Sequence, residues 1–173
     1  MEMKKEINGV IYKLINDYYT VVGCSPTCGE KVVILNEIEG IPVESISSYA
    51  FLKNANIKEV KLPDNIKYIG LYAFAQCMNL VNINLDKVNV IDNYAFACCY
   101  SLKSVDISAL IIINAYTFAC CSNLEEVKTS KKLFSVDKYA FLGCRNLRKI
   151  NLNKYIDAAY SYEAFLGCES LLK

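Results

Sequence analysis

Six of the seven phenylalanines, Phe51, Phe74, Phe96, Phe118, Phe141 and Phe165, follow one another at gaps of 23, 22, 22, 23 and 24 residues. The residues around them keep the same register. Alanine or threonine precedes each Phe, and a tyrosine stands two places before it in five copies: Tyr49, Tyr72, Tyr94, Tyr116 and Tyr139. Five places before Phe is Ile46, Ile69, Ile91, Ile113 or Val136, with Tyr160 in the last copy. Three places after it is Cys77, Cys99, Cys121, Cys144 or Cys168, with Asn54 in the first copy. Six places after it comes Ile57, Leu80, Leu102, Leu124, Leu147 or Leu171, and nine places after it Val60, Ile83, Val105, Val127 or Ile150. A unit this short cannot bury its own apolar face, so copies must stack and share one core.

Each copy divides into mechanical parts. In Leu80-Val-Asn-Ile83-Asn-Leu85 the final residues alternate with period two, which predicts a short strand with one buried face. The Tyr-Ala-Phe-x-x-Cys-x-x-Leu stretch spaces its apolar residues by three, which predicts a short helical turn. The lone aliphatic five places before Phe predicts a second extended piece on the opposite side of the coil. The expected architecture is an α/β solenoid of about six coils, with a parallel sheet on one face and helical turns and short extended segments on the other.

The pattern Ile-x-x-Tyr-Ala-Phe-x-x-Cys-x-x-Leu-x-x-Ile-x-Leu resembles the BspA-like leucine-rich repeat, over residues 46 to 173. Val32-Val-Ile-Leu35 and Glu39-Gly-Ile-Pro-Val43 resemble the strand and turn that feed the first repeat of such proteins. Phe134-Ser-Val, Thr129 and Ala158-Ala-Tyr160 depart from the pattern locally. The resemblance implies an arc-shaped solenoid used for binding, without catalysis. Residues 1–45 read as an N-terminal strand cap and 46–173 as one continuous repeat domain. Strand candidates in the cap are Gly9–Tyr12, Tyr18–Val22 and Lys31–Leu35, with the Pro- and Gly-punctuated Gly23–Gly29 as the turn between the last two. The chain stops at Lys173, where a sixth strand would begin. Either Ser161 to Leu172 forms a covering helix, or a bare last coil favours self-association.

Composition restricts the chemistry. The 173 residues include 19 Lys+Arg, 18 Asp+Glu and no histidine. The absence of histidine excludes Ser-His and Cys-His catalytic pairs and His-ligated metal. The near-zero net charge gives no electrostatic basis for nucleic-acid or membrane binding. No cofactor is expected. Paired carboxylates in a cleft, a Gly-rich phosphate loop and a nucleophile motif are all absent. The charged start predicts a cytoplasmic protein; if a signal peptide has been removed, the cell surface or exterior is expected instead.

The nine cysteines fall into three groups. Five form the repeat column, read as small apolar core residues rather than a thiolate ladder for soft metal. Cys98 and Cys120 flank column members one coil apart and could pair across coils. Cys24 and Cys28 flank a turn and offer a small disulfide in an oxidising compartment, but no histidine or second pair completes a zinc site. The tyrosine column reads as packing along the coil edge rather than a stacking platform for bases.

The candidate binding surface is the outward side of the strands, at the positions eight and ten places after each Phe. These are Glu59, Lys61, Asn82, Asn84, Ser104, Asp106, Glu126, Lys128, Lys149 and Asn151, a polar strip of mixed sign suited to a protein partner. The reading is a non-enzymatic protein-binding module. Its setting stays open between a surface adhesion or host-interaction module and a small intracellular inhibitor of a host enzyme or defence system, of the kind a mobile element carries. A thiol metal-binding protein is the third class.

Overall fold

In the computed structural model, which describes residues 4–152 and 162–171, the chain winds into stacked coils with two strand-bearing sides. It begins as an antiparallel meander of β1 (Lys4–Ile7), β2 (Val10–Ile15) and β3 (Tyr18–Cys24). Next come β4 (Lys31–Val33), β5 (Glu37–Ile38) and β6 (Ile41–Ile46). Glu39 and Gly40, at φ 53° and 77°, close the β5–β6 hairpin through the left-handed backbone that a tight two-residue turn requires. The repeats then supply two strands per coil. On one side lie β7 (Glu59–Lys61), β9 (Asn82–Ile83), β11 (Ser104–Asp106), β13 (Glu126–Lys128) and β15 (Lys149–Ile150). On the other lie β8 (Tyr68–Ile69), β10 (Val90–Ile91), β12 (Ile112–Ile113) and β14 (Ser135–Val136).

Pairing along both sides is parallel and in repeat register. Lys31, Glu59 and Asn82 align through β4, β7 and β9, and Ser104, Glu126 and Lys149 align through β11, β13 and β15. The sequence places Gly23–Gly29 as the turn between two cap strands, and it does connect them. The strands themselves separate: β3 pairs with β6 on one side of the solenoid and β4 with β7 on the other. The turn is thus a corner of the coil and not a hairpin. β1, whose Lys4-Lys-Glu-Ile7 lacks an apolar face, was not anticipated; as the charged outer strand it suits a sheet edge.

The Tyr-Ala-Phe segment is where helical spacing misleads. Its amides alternate in direction. In the third coil, Ala95, Ala97 and Cys99 donate to the carbonyls three residues back, of Asp92, Tyr94 and Phe96. Between them, Tyr94, Phe96 and Cys98 donate across to Ala115, Thr117 and Ala119 of the next coil, at 3.3, 2.9 and 2.7 Å. The alternation requires left-handed backbone two places before and two places after Phe in the first five copies, as at Tyr94 (φ 58°) and Cys98 (φ 61°). Such φ values cost a non-glycine residue about 1–2 kcal/mol, offset here by a third hydrogen-bonded ladder along the stack. The spacing of three survives because the intra-coil bonds are i to i−3, but no helix forms in the first five copies; helical residues among those described are confined to 162–164, just before Phe165.

The interior is built of columns. The rings of Phe51, Phe74, Phe96, Phe118, Phe141 and Phe165 stack at 4.9–5.5 Å between successive centroids, within 3–8° of parallel. The column cysteines Cys77, Cys99, Cys121, Cys144 and Cys168 are buried, and each thiol donates to the carbonyl of the preceding coil's Phe at 3.1–3.2 Å. Burial pushes the Cys77 thiol up to about 12 and raises Cys99 and Cys121 as well, so these sulfurs stay protonated. Asn54 takes the column's first place, where its Oδ1 accepts from the amides of Asn56 and Ile57.

Candidate functional site

The strand face is assembled by the register just described. Val60, Ile83, Val105 and Val127 point inward and are buried, which turns their neighbours on each strand outward. The ten residues named for the strip therefore share one face, but the structure divides them by what they touch.

Most of the charges are paired across coils. Lys31 reaches Glu59 at 3.3 Å, Lys128 reaches Asp106 at 2.6 Å and Lys149 reaches Glu126 at 2.6 Å. A second row, one place earlier, pairs Lys58 with Glu30 at 2.8 Å and Arg148 with Glu125 at 3.2 Å. Sequence reasoning missed Lys31 and this second row; opposite charges one repeat apart were the available signal. Partial burial acts to raise the Asp106 carboxyl, but the bonds from Lys128 and Ser108 outweigh it and hold the group below the ordinary aspartate value.

Asn84 is exposed, as the strip reading expects, but its side chain is already engaged. Its Oδ1 accepts from the Leu62 amide at 2.8 Å and its Nδ2 donates to the Leu62 carbonyl at 2.9 Å. One side chain thus completes both backbone groups of the neighbouring coil, as a ladder residue would. Thr129, which departs from the repeat, uses its hydroxyl in a related way on the Asn151 carbonyl.

Lys61, Asn82, Ser104 and Asn151 remain. Among the described residues their side chains have no hydrogen-bond or ion-pair partner. Lys61, Asn82 and Ser104 rim an open depression of about 490 Å³ together with Glu59, Asn84 and Asp106, floored by Val60 and Ile83. The depression lies where the sheet is interrupted: β4-β7-β9 ends and β11-β13-β15 begins, with no ladder between β9 and β11. A similar interruption separates β10 from β12 on the other side, and there the Asn114 amide donates to the Ile91 carbonyl at 2.7 Å in place of a backbone group.

The other candidates resolve by contact. Tyr49, Tyr72, Tyr94 and Tyr116 stack on one another at 4.6–5.5 Å, and Tyr139 lies tilted by 36° against Tyr116 at 5.0 Å, so inner rings spend their faces on their neighbours. Cys24 and Cys28 are free thiols; Asn54 donates to the Cys24 sulfur at 3.0 Å, and burial together with Cys24 pushes Cys28 up to about 12. Cys98 and Cys120 are half-buried neighbours. Among the described residues no group of three or more Cys, Asp or Glu could hold a metal ion, and no helix is long and apolar enough to cross a membrane. The helix considered for 161–172 and the segment Ala158-Ala-Tyr160 fall wholly or partly outside the described residues.

Stacked coils of 22–24 residues, parallel strands and a recurring Phe-x-x-Cys-x-x-Leu core define a leucine-rich-repeat solenoid. Residues 44–172 match the BspA type leucine rich repeat region in six copies, and the chain belongs to that family. Its members are generally protein-interaction or surface modules. The fold is similar to that of a T. pallidum leucine rich repeat protein, at 25% identity and TM-score 0.69 over 91% of this chain and 93% of that one. A leucine rich cell surface protein from Faecalibacterium prausnitzii A2-165 shares 21% identity at TM-score 0.72; the match covers 99% of this chain and 54% of that one. The pneumococcal vaccine antigen PcpA shares 19% identity at TM-score 0.71, over 91% of this chain and 39% of that one. The chain therefore spans about half, or less, of those two longer proteins. No curated protein matches the sequence.

Proposed function

We propose that this protein is a non-enzymatic binding module whose strand face docks a protein partner, centred on the depression between β9 and β11. The observation that carries this reading is the contrast in partnering. Flanking charges are neutralised by neighbouring coils, whereas Lys61, Asn82 and Ser104 surround an open hollow with their bonding capacity unspent. One cation beside two neutral hydrogen-bonding groups suits a partner that offers a carboxylate together with backbone or amide groups. Glu126, Lys128, Lys149 and Asn151 extend the face as a rim whose charges affect encounter more than affinity. Residues 1–45 act in this reading as the cap of a solenoid formed by 46–173, since β3 continues the sheet of β6 beyond the first coil.

The setting follows the relatives. Likeness to a cell surface protein and to a vaccine antigen supports a surface role over the intracellular inhibitor. The test is affinity capture from the source cell with wild type and with the triple variant Lys61→Glu, Asn82→Arg, Ser104→Arg. Loss of a captured protein, with unchanged thermal unfolding, is expected. A partner retained equally by both would overturn the strand face as the binding site.

A further inference from the structure

The Cys98 and Cys120 positions are not explained by packing. Both lie two places after the repeat Phe, in a column whose other members are Lys53, Gln76, Gly143 and Gly167. All six share the left-handed backbone, with φ between 59° and 77°. A site that accepts lysine, glutamine and glycine in the same conformation makes no demand for a small apolar group. The adjacent buried column, three places after Phe, does make that demand, and five cysteines meet it.

Geometry brings the two thiols together. Cys98 donates its amide to Ala119 at 2.7 Å and Cys120 donates to Leu142 at 2.6 Å, so the two residues repeat one another by a single coil step. Their φ values of 61° and 59° give the two residues the same local backbone. Stacked strand-like segments stand about 4.8 Å apart, inside the roughly 4.4–6.8 Å that a disulfide spans between Cα atoms. The two thiols are near enough for Cys98 to act on the titration of Cys120, and Cys98 acts likewise on Tyr100. Both are half-buried and thus open to a small reagent. Burial and Cys98 raise the Cys120 thiol, while the Arg145 charge opposes them and favours its thiolate.

We propose that Cys98 and Cys120 form a redox modification site, a cross-coil dithiol that small-molecule disulfides oxidise to a staple between the third and fourth coils. One thiolate attacks the reagent RS–SR, forming a mixed disulfide and expelling RS⁻. The second thiolate attacks the protein sulfur of that mixed disulfide and expels the other RS⁻. The protein loses two electrons and two protons, and the reagent is reduced to two RSH. Cys144 and Cys168 also meet across coils, but both are buried, which shields them from a reagent in solution. The column thiols are buried and committed to Phe carbonyls, and Cys24 and Cys28 belong to one turn.

The test incubates the folded full chain with oxidised glutathione at mildly alkaline pH, followed by non-reducing peptide mapping. The expected product is a Cys98–Cys120 crosslink, two hydrogens lighter than the reduced protein, that dithiothreitol reverses. Cys98→Ser and Cys120→Ser should each instead retain one glutathione adduct on the surviving thiol; the column's tolerance of polar residues keeps both variants folded. Stable adducts on both thiols of the wild type, no modification at either, or a first crosslink at Cys24–Cys28 would each overturn the proposal.

Discussion

The interior columns and the strand face follow the same winding yet obey opposite rules. Inside, one residue type recurs coil after coil: Phe on Phe, Cys on Cys, with nearly parallel rings. On the strand face no two successive coils carry the same pair of outward residues: Glu59 and Lys61, then Asn82 and Asn84, then Ser104 and Asp106. The difference teaches where the repeat is under constraint. A buried position sees a similar cavity in each coil and admits a narrow range of shapes, because interiors are close-packed. An outward position sees water or a partner and is free to diverge.

The sharpest way to break this comparison is to disturb one interior column. Phe96→Ala removes a ring held between Phe74 and Phe118 at 5.2 and 5.5 Å. A loss of about 3–5 kcal/mol is expected in urea unfolding. Phe134→Ser is the matched control, since the seventh phenylalanine is 77% exposed; its cost should stay within about 0.5 kcal/mol. Comparable losses from the two would show that the repeat column carries no special weight.

Within the strand face the comparison can be sharpened between two asparagines two residues apart. Asn84→Ala should destabilise by about 1–2 kcal/mol, because both Leu62 backbone groups lose their partner. Asn82→Ala should fall within about 0.5 kcal/mol, because among the described residues its exposed side chain makes no hydrogen bond. Equal effects would remove the distinction between a clamp residue and a partner-facing one.

The smallest expected effect concerns the Asp106–Lys128 pair. The carboxyl titrates lower in the folded chain than unfolded, so its stabilisation is complete above the unfolded value of about 3.9 and is lost as pH falls through the folded value. Relative to Asp106→Asn, the wild type should gain about 0.5 kcal/mol at neutral pH. That margin should vanish in acid unfolding measured below about pH 3. A margin that persists there would assign it to the Ser108 bond and not to the ion pair.

Much of this fold was legible from spacing. The Phe, Cys and Leu columns, and the strand nine places after each Phe, can be read in one pass because the winding translates sequence period into vertical alignment. The Tyr-Ala-Phe turn was legible only in period: a spacing of three describes both a helix and a chain of turns that alternates hand. What separates them is the amide direction, which depends on the coil above. The strip's membership was likewise visible, but the two environments within it were not. Asn82 and Asn84 look identical in the pattern, and only Leu62 in the preceding coil distinguishes them.

By itself, then, the sequence determined that this chain stacks, how long each coil is and which residues face inward, because all three follow from apolar periodicity along one chain. Tertiary structure decided where the sheets are interrupted, which charges are already paired and which thiols are neighbours. Those are relations between residues about 22 positions apart. Their outcome depends on how one coil settles on the next, and no local pattern encodes that.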